Sequence, residues 1–112
     1  TSEYNDTIVC GDLNFFSLED EKSIPCKYVD MWTLVNRSED GHTFDCKSNT
    51  MISKLFPKYS PISLRLDRGL LLSVSQRWKV VSATLEMKEP ICQDIFASDH
   101  FAVKFHLIQQ QS

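Results

Sequence analysis

In the segment 101–108, FAVKFHLI, the odd positions carry Phe101, Val103, Phe105 and Leu107, while Lys104 and His106 fall between them. A repeat of two puts one apolar row on one face of an extended chain, which no helix can do. Three more segments carry strand signals. TIVCGD (7–12) is a β-branched run closed by Gly11 and Asp12, and is expected to be a short buried strand. LRLDRGLLLSV (64–74) alternates apolar with charged residues before an apolar run, which predicts a strand with a bulge or kink near Gly69. WKVVSATLEM (78–87) is the fourth.

Helical signals are shorter. SLEDEKSIPCK (17–27) suits a surface helical turn with a solvated acidic face. YVDMWTLVN (28–36) places apolar residues at 28, 29, 31, 32, 34 and 35, as a short buried helix opened near Asp30 would, with Trp32 in its core. RSEDG (37–41) is a turn. The stretch 42–61, HTFDCKSNTMISKLFPKYSP, has two prolines and no sustained period and is expected to be a long loop, a length that is usually functional or mobile. Residues 88–100 form another loop, and the glutamines at 109–111 a frayed tail. His106, alternating within a strand, is structural.

A chain of 112 residues supports one core, and 42% hydrophobic with 24% charged residues is globular composition. A net charge of −3 advertises no anionic partner overall, although local basic groups can still serve one. The four cysteines, Cys10, Cys26, Cys46 and Cys92, form no C-x-x-C pair and have no histidine at zinc spacing. Cys10 lies in an apolar run, where a reduced buried thiol is expected, pointing to an intracellular protein, nuclear or cytoplasmic. No segment is apolar for long enough to span a bilayer. The start, TSEYNDT, has no initiating methionine and no signal-peptide pattern, which predicts a piece of a longer chain.

Three polar clusters fall at the edges of predicted strands: Asp12 with Asn14, Arg65 with Asp67, and Asp99 with His100. Singly, G-D-x-N is most often a turn, Arg-x-Asp a surface pair and Ser-Asp-His a cap. Jointly they differ, because strands of one sheet deliver distant positions to a common rigid rim.

The order GDLN, DMW, GHTFD, RLDRGLLL, SDHFAV resembles the C-terminal half of the endonuclease/exonuclease/phosphatase superfamily, which includes DNase I and exonuclease III. The resemblance extends over essentially the whole chain. VDMW near HTFDCKSN, followed by LRLDR and SDH, looks most like the 5′-tyrosyl-DNA phosphodiesterases. The fold this implies is α/β (α+β): half of a two-sheet, four-layer α/β sandwich of DNase I-like type with mostly antiparallel strands, residues 1–112 being the C-terminal part of one such domain.

The resemblance also implies roles. Asp12 would bind and polarise the attacking water, with Asn14 donating to a phosphate oxygen or fixing that water. His100 would donate to a non-bridging phosphoryl oxygen, with Asp67 on its other nitrogen fixing the tautomer. Asp99 resembles the metal-associated carboxylate, acting directly or through water on Mg²⁺ or Mn²⁺. Arg65 and Phe44 would meet substrate; Phe44 stands where the tyrosyl-DNA enzymes carry a tryptophan, and core packing is its competing role. Arg68 is either a structural ion-pair partner or a substrate contact, and Phe101 is core. The partners implied are DNA or another phosphodiester, and either the absent N-terminal half, which supplies a metal-binding glutamate, or a second copy of the chain. Other substrates in the same superfamily, an abasic site or a phosphoinositide, and a non-catalytic binding module are the alternatives.

Overall fold

The strand periods are met by short antiparallel pairings, two of which flank one helix. The computed structural model describes residues 5–59 and 61–111. In chain order the elements are β1 (Thr7–Asp12), α1 (Leu18–Glu21), β2 (Val29–Asp30), α2 (Met31–Val35), β3 (Phe44–Asp45), α3 (Thr50–Leu55), a 3₁₀ turn (Pro57–Tyr59), β4 (Ser63–Leu64), β5 (Asp67–Leu72), β6 (Trp78–Glu86) and β7 (Ala102–Gln109). They build a three-stranded sheet β1-β5-β2 and two-stranded pairs β3-β4 and β6-β7, every pairing antiparallel. The result is the expected mixed α/β arrangement. No helix among the described residues is long and apolar enough to cross a membrane.

Helix α2 packs between β5 and β6, and its Met31 joins Leu71 and Val80 in a core flanked by Val35, Phe105 and Leu107. The odd positions Phe105 and Leu107 reach this core, as their alternation requires. Asp30 caps the helix, its carboxylate accepting from the Trp32 N–H at 3.1 Å. The helix is shorter than 28–36 because Val29 and Asp30 pair with Leu71 and Leu70 as β2. Buried Trp32 donates its indole N–H to the Glu39 carbonyl at 2.9 Å. Gly41, at φ +72, turns the chain beside that ring, where a Cβ would lie 2.4 Å from the indole.

Four expectations are corrected. The predicted strand 64–74 is two strands, β4 and β5, and there is no bulge at Gly69, which pairs in register with Cys10. The interruption lies at Arg65 and Leu66, where a side chain from another segment takes the Leu66 and Asp67 N–H groups. Gly69 is needed for close approach instead: the Phe105 ring lies 2.5 Å from where its Cβ would be. The stretch 42–61 is not one loop, since it holds β3, α3 and the 3₁₀ turn. Helix α3 is only 6 residues long, too short to print a period, yet Asn49 caps it and Ile52 is fully buried. Cys10 is exposed, as is most of β1, including Ile8 and Val9. Its β-branched run promised burial, but β1 is an edge strand with β5 as its single pairing partner among the described residues. Gln109 is no frayed end, being paired with Trp78 in β7.

A second core, Phe44, Cys46, Ile52 and Leu66, lies beneath the rim at which β1 ends and β5 begins. Burying a side chain such as Ile52 stabilises by about 1.5–3 kcal/mol.

Candidate active site

Asp12 is the last residue of β1 and Asp67 the first of β5, and antiparallel register sets them directly opposite. After Asp12 the chain turns sharply. The Asn14 N–H donates to the Asp12 carboxylate at 2.9 Å, and Asn14 takes a left-handed backbone at φ 52, which asparagine tolerates better than most residues. The turn reading and the site reading of GDLN thus describe one structure, in which the turn fixes the carboxylate at the rim.

His100 arrives from the loop before β7. Its Nδ1 lies 2.6 Å from an Asp67 carboxylate oxygen, its backbone N–H donates to Ser98 Oγ at 3.0 Å, and its ring meets the Phe44 ring edge-on at 5.6 Å between centroids. A carboxylate at Nδ1 makes that nitrogen the N–H donor and leaves Nε2 as the working nitrogen. One ligand-type atom from each of Asp12, Asp67 and His100 lies within 4.8 Å of the others. Two carboxylates placed opposite one another repel. His100 is the hydrogen-bond partner of Asp67, and Asp12 has no side-chain partner of opposite charge among the described residues. The trio is therefore built to receive positive charge or to draw a proton from water.

Asp99 precedes His100 and accepts from Ser98 Oγ at 3.3 Å, but no oxygen of it belongs to the close trio. Asn14 is exposed at the rim.

Arg65 and Arg68 are committed elsewhere. Arg65 forks onto Asp30 at 3.0 and 2.6 Å, a bidentate pair that is largely buried. Arg68 is buried, donates its Nε–H to the Arg65 carbonyl at 2.7 Å, ion-pairs with Glu21 and Asp30, and lies 5.1 Å from the centre of the Phe15 ring. The Arg68 hydrogen bond holds the Glu21 carboxyl below its usual range, against a smaller opposing effect of burial. Of the two roles open to Arg68, the ion-pair partner is the one seen. Asp30, read as a helix opener, is also the shared anion of both guanidiniums.

Phe44 is 8% exposed and packed against Cys46, Ile52 and Leu66. It offers no open face for a base and instead backs the His100 ring. Burial of Asp45 would raise its carboxyl, but hydrogen bonds from Ser63, the Lys47 N–H and Ser48 outweigh that and hold it low, so Asp45 organises its own loop.

Two fully buried polar residues went unread in the sequence. Thr43 Oγ1 accepts from the Leu66 and Asp67 N–H groups at 3.1 and 3.2 Å, while its carbonyl accepts from the Phe101 N–H at 2.7 Å. Asn49 donates its side-chain amide to the Ser98 carbonyl at 2.9 Å while capping α3. Sequence alone marks them only as polar residues in a loop; that each bonds to segments distant in sequence is a long-range fact.

The mixed α/β arrangement with antiparallel sheets is consistent with a DNase I-like fold, as likeness to solved structures shows. Among solved structures the chain is similar to tyrosyl-DNA phosphodiesterase 2 (TDP2) of D. rerio. The humanized form with 14 mutations shares 21% identity at a TM-score of 0.72, over 93% of this chain and 40% of that one. The form complexed with single-strand DNA product shares 23% identity at a TM-score of 0.69, over 91% of this chain and 41% of that one. This chain thus spans about two-fifths of the length of those proteins. No protein-family model matches the sequence, and no curated protein matches it.

Proposed function

We propose that this chain carries part of the active site of a divalent-metal-dependent phosphodiesterase acting in DNA repair on a bond such as the 5′-phosphotyrosyl linkage to DNA, in a nuclear or cytoplasmic setting. The observation that carries the reading is the convergence of Asp12, Asp67 and His100 within 4.8 Å from three separate segments. Likeness to TDP2 supports it at the level of fold.

In this reading Asp12 binds the attacking water and accepts its proton, held in place by the Asn14 turn. Asn14 adds an amide at the rim that can donate to a phosphoryl oxygen without adding negative charge. His100, oriented through Nδ1 by Asp67, donates from Nε2 to a non-bridging oxygen when the ring is doubly protonated, where a donor counts most as charge develops. Mg²⁺ or Mn²⁺ would suit the donor set: these ions take oxygen ligands, and Mg²⁺ keeps several waters and needs one or two carboxylates, which the rim aspartates Asp12 and Asp67 would supply, with Asp99, outside the close cluster, acting through water. When bound, such an ion neutralises phosphoryl charge and polarises the P–O bond. Arg65 and Phe44 meet no substrate in this reading: Arg65 braces Asp30, and Phe44 backs the His100 ring.

The site is shared. The exposed Ile8 and Val9 on the unpaired edge of β1 suit coverage by further protein, either the rest of a sandwich domain or a second copy of the chain, bringing the metal-binding glutamate. The test is hydrolysis of a 5′-phosphotyrosyl oligonucleotide with and without Mg²⁺, by this chain alone and with a complementing N-terminal half, beside Asp12→Asn and His100→Ala. Metal-dependent turnover in the complemented protein, lowered at least 100-fold by either substitution, is expected. Turnover indifferent to both substitutions refutes the assignment, and selective cleavage of an abasic-site duplex or a phosphoinositide moves the substrate within the same chemistry.

A further inference from the structure

The Asp67–His100 pair joins residues 33 positions apart on elements that do not otherwise pair. Its separation of 2.6 Å therefore depends on whatever fixes the start of β5 relative to the end of the loop 88–100. The sheet holds one side of the first end, Asp67 pairing with Asp12 and the Leu66 carbonyl accepting from the Leu13 N–H at 2.9 Å, but it leaves the other side of that end and His100 to other contacts. Asp67 follows the break between β4 and β5, where Leu66 and Asp67 have no strand neighbour on their N–H groups, and His100 precedes β7.

We infer that Thr43 is the positioning residue of this dyad: its hydroxyl oxygen holds the N–H groups of Leu66 and Asp67, and its carbonyl holds the N–H of Phe101, next to His100. The inference deepens the phosphodiesterase reading and rests on it for its functional meaning. Three features carry it. Thr43 has no solvent exposure, so water cannot substitute for its oxygen in receiving those donors. Its own N–H donates to the Leu64 carbonyl at 3.0 Å, so the residue is fixed from the strand preceding the break. The side chain of Phe101 is 2% exposed and anchors the chain beyond His100, so the carbonyl contact sets where the histidine leaves the core.

The chemistry calls for a hydroxyl. An oxygen with two lone pairs accepts two N–H groups at once, and its proton can turn away from both. Valine has the same shape and no acceptor, leaving two buried backbone donors unpaired. Serine keeps the acceptor and loses a methyl group. Interrupting a strand at this point frees Asp67 to turn its carboxylate toward His100 and Asp12 at the rim, and Thr43 replaces the strand partner that the break removes.

The experiment is NMR of the chain and of Thr43→Val, Thr43→Ser and Ile52→Val, following the far-downfield His100 Nδ1 proton shared with Asp67 and the amide exchange of Leu66, Asp67 and Phe101. Loss of the ring proton in Thr43→Val, with retention in Thr43→Ser and in the core control Ile52→Val, is expected. A Thr43→Val spectrum that keeps the ring proton overturns the inference, because a residue that only adds stability would act as Ile52→Val does. The unsubstituted chain gives an independent check should Thr43→Val not fold. The three amides must exchange together and at least 100-fold slower than the exposed loop at 88–95, and an Asp67 amide exchanging at the loop rate overturns the inference equally. Hydrolysis is not among these readouts, so failure of the phosphodiesterase reading appears separately, in the Asp12 and His100 variants.

Discussion

Replacing Arg68 with methionine tests whether this arginine holds the fold or serves a substrate. The side chain is 4% exposed, against 13% for Asp30 and 38% for Glu21. Removing one member of a buried ion pair typically costs about 3–5 kcal/mol. Two features reduce that here: Asp30 keeps its bidentate Arg65, and Glu21 is open enough to be rehydrated. Two add to it: the Arg65 carbonyl loses its Nε–H donor, about 1 kcal/mol, and the Phe15 ring loses its cation, about 0.5–1 kcal/mol. Methionine fills much of the volume, so the net loss is about 2–3 kcal/mol by urea denaturation, or roughly 10 °C in Tm. The difference should depend on pH. The Glu21 carboxyl is held below its ordinary value of 4.5, so its contribution is complete above that pH and is lost as pH falls through the lower folded value. The parent and Arg68→Met curves should accordingly converge in acid. A variant as stable as the parent at neutral pH but defective in hydrolysis would refute the network reasoning and make Arg68 a substrate group.

Gly41→Ala should lose about 2–4 kcal/mol and change Trp32 fluorescence, because the new Cβ combines a positive φ with a contact of 2.4 Å to the indole. Asp6→Asn should release the turn after β5. The Asp6 carboxylate accepts the Val74 and Ser75 N–H groups at 2.7 and 2.9 Å and the Ser75 hydroxyl, and its value is lowered chiefly by that hydroxyl. Amide shifts of Val74 and Ser75 should move in the parent as pH falls below 3.8, through the depressed folded value, and stay flat in Asp6→Asn.

Strands with a clean period were legible in the sequence. TIVCGD and FAVKFHLI fold where their alternation and stop signals put them, give or take a residue. What sequence could not show was which strand lies at an edge, and so Cys10 and Val9, apolar by pattern, are exposed. Helix α3 was hidden because one and a half turns carry too few apolar positions to distinguish a helix from a loop. At the site, Asp12, Asp67 and His100 were found through their place in an ordered motif series, and the structure brings them together. Arg65 and Phe44 were in that series too, but a charge's partner and a ring's burial are tertiary facts, settled by Asp30 and by the Ile52 core. Thr43 was invisible for the same reason, since all its side-chain bonds reach residues more than 20 positions away.

The two arginines nearest the rim in sequence spend their charge on Asp30 and Glu21. Both charges are matched by carboxylates, so neither arginine would add to the salt dependence of a nucleic acid binding at this rim. A polyanion nearing Asp12 and Asp67 meets carboxylates before it meets either guanidinium. Any long-range attraction of such a ligand would have to arise elsewhere than at these two arginines. What this part of the rim offers a phosphate is placement at short range rather than pull from a distance.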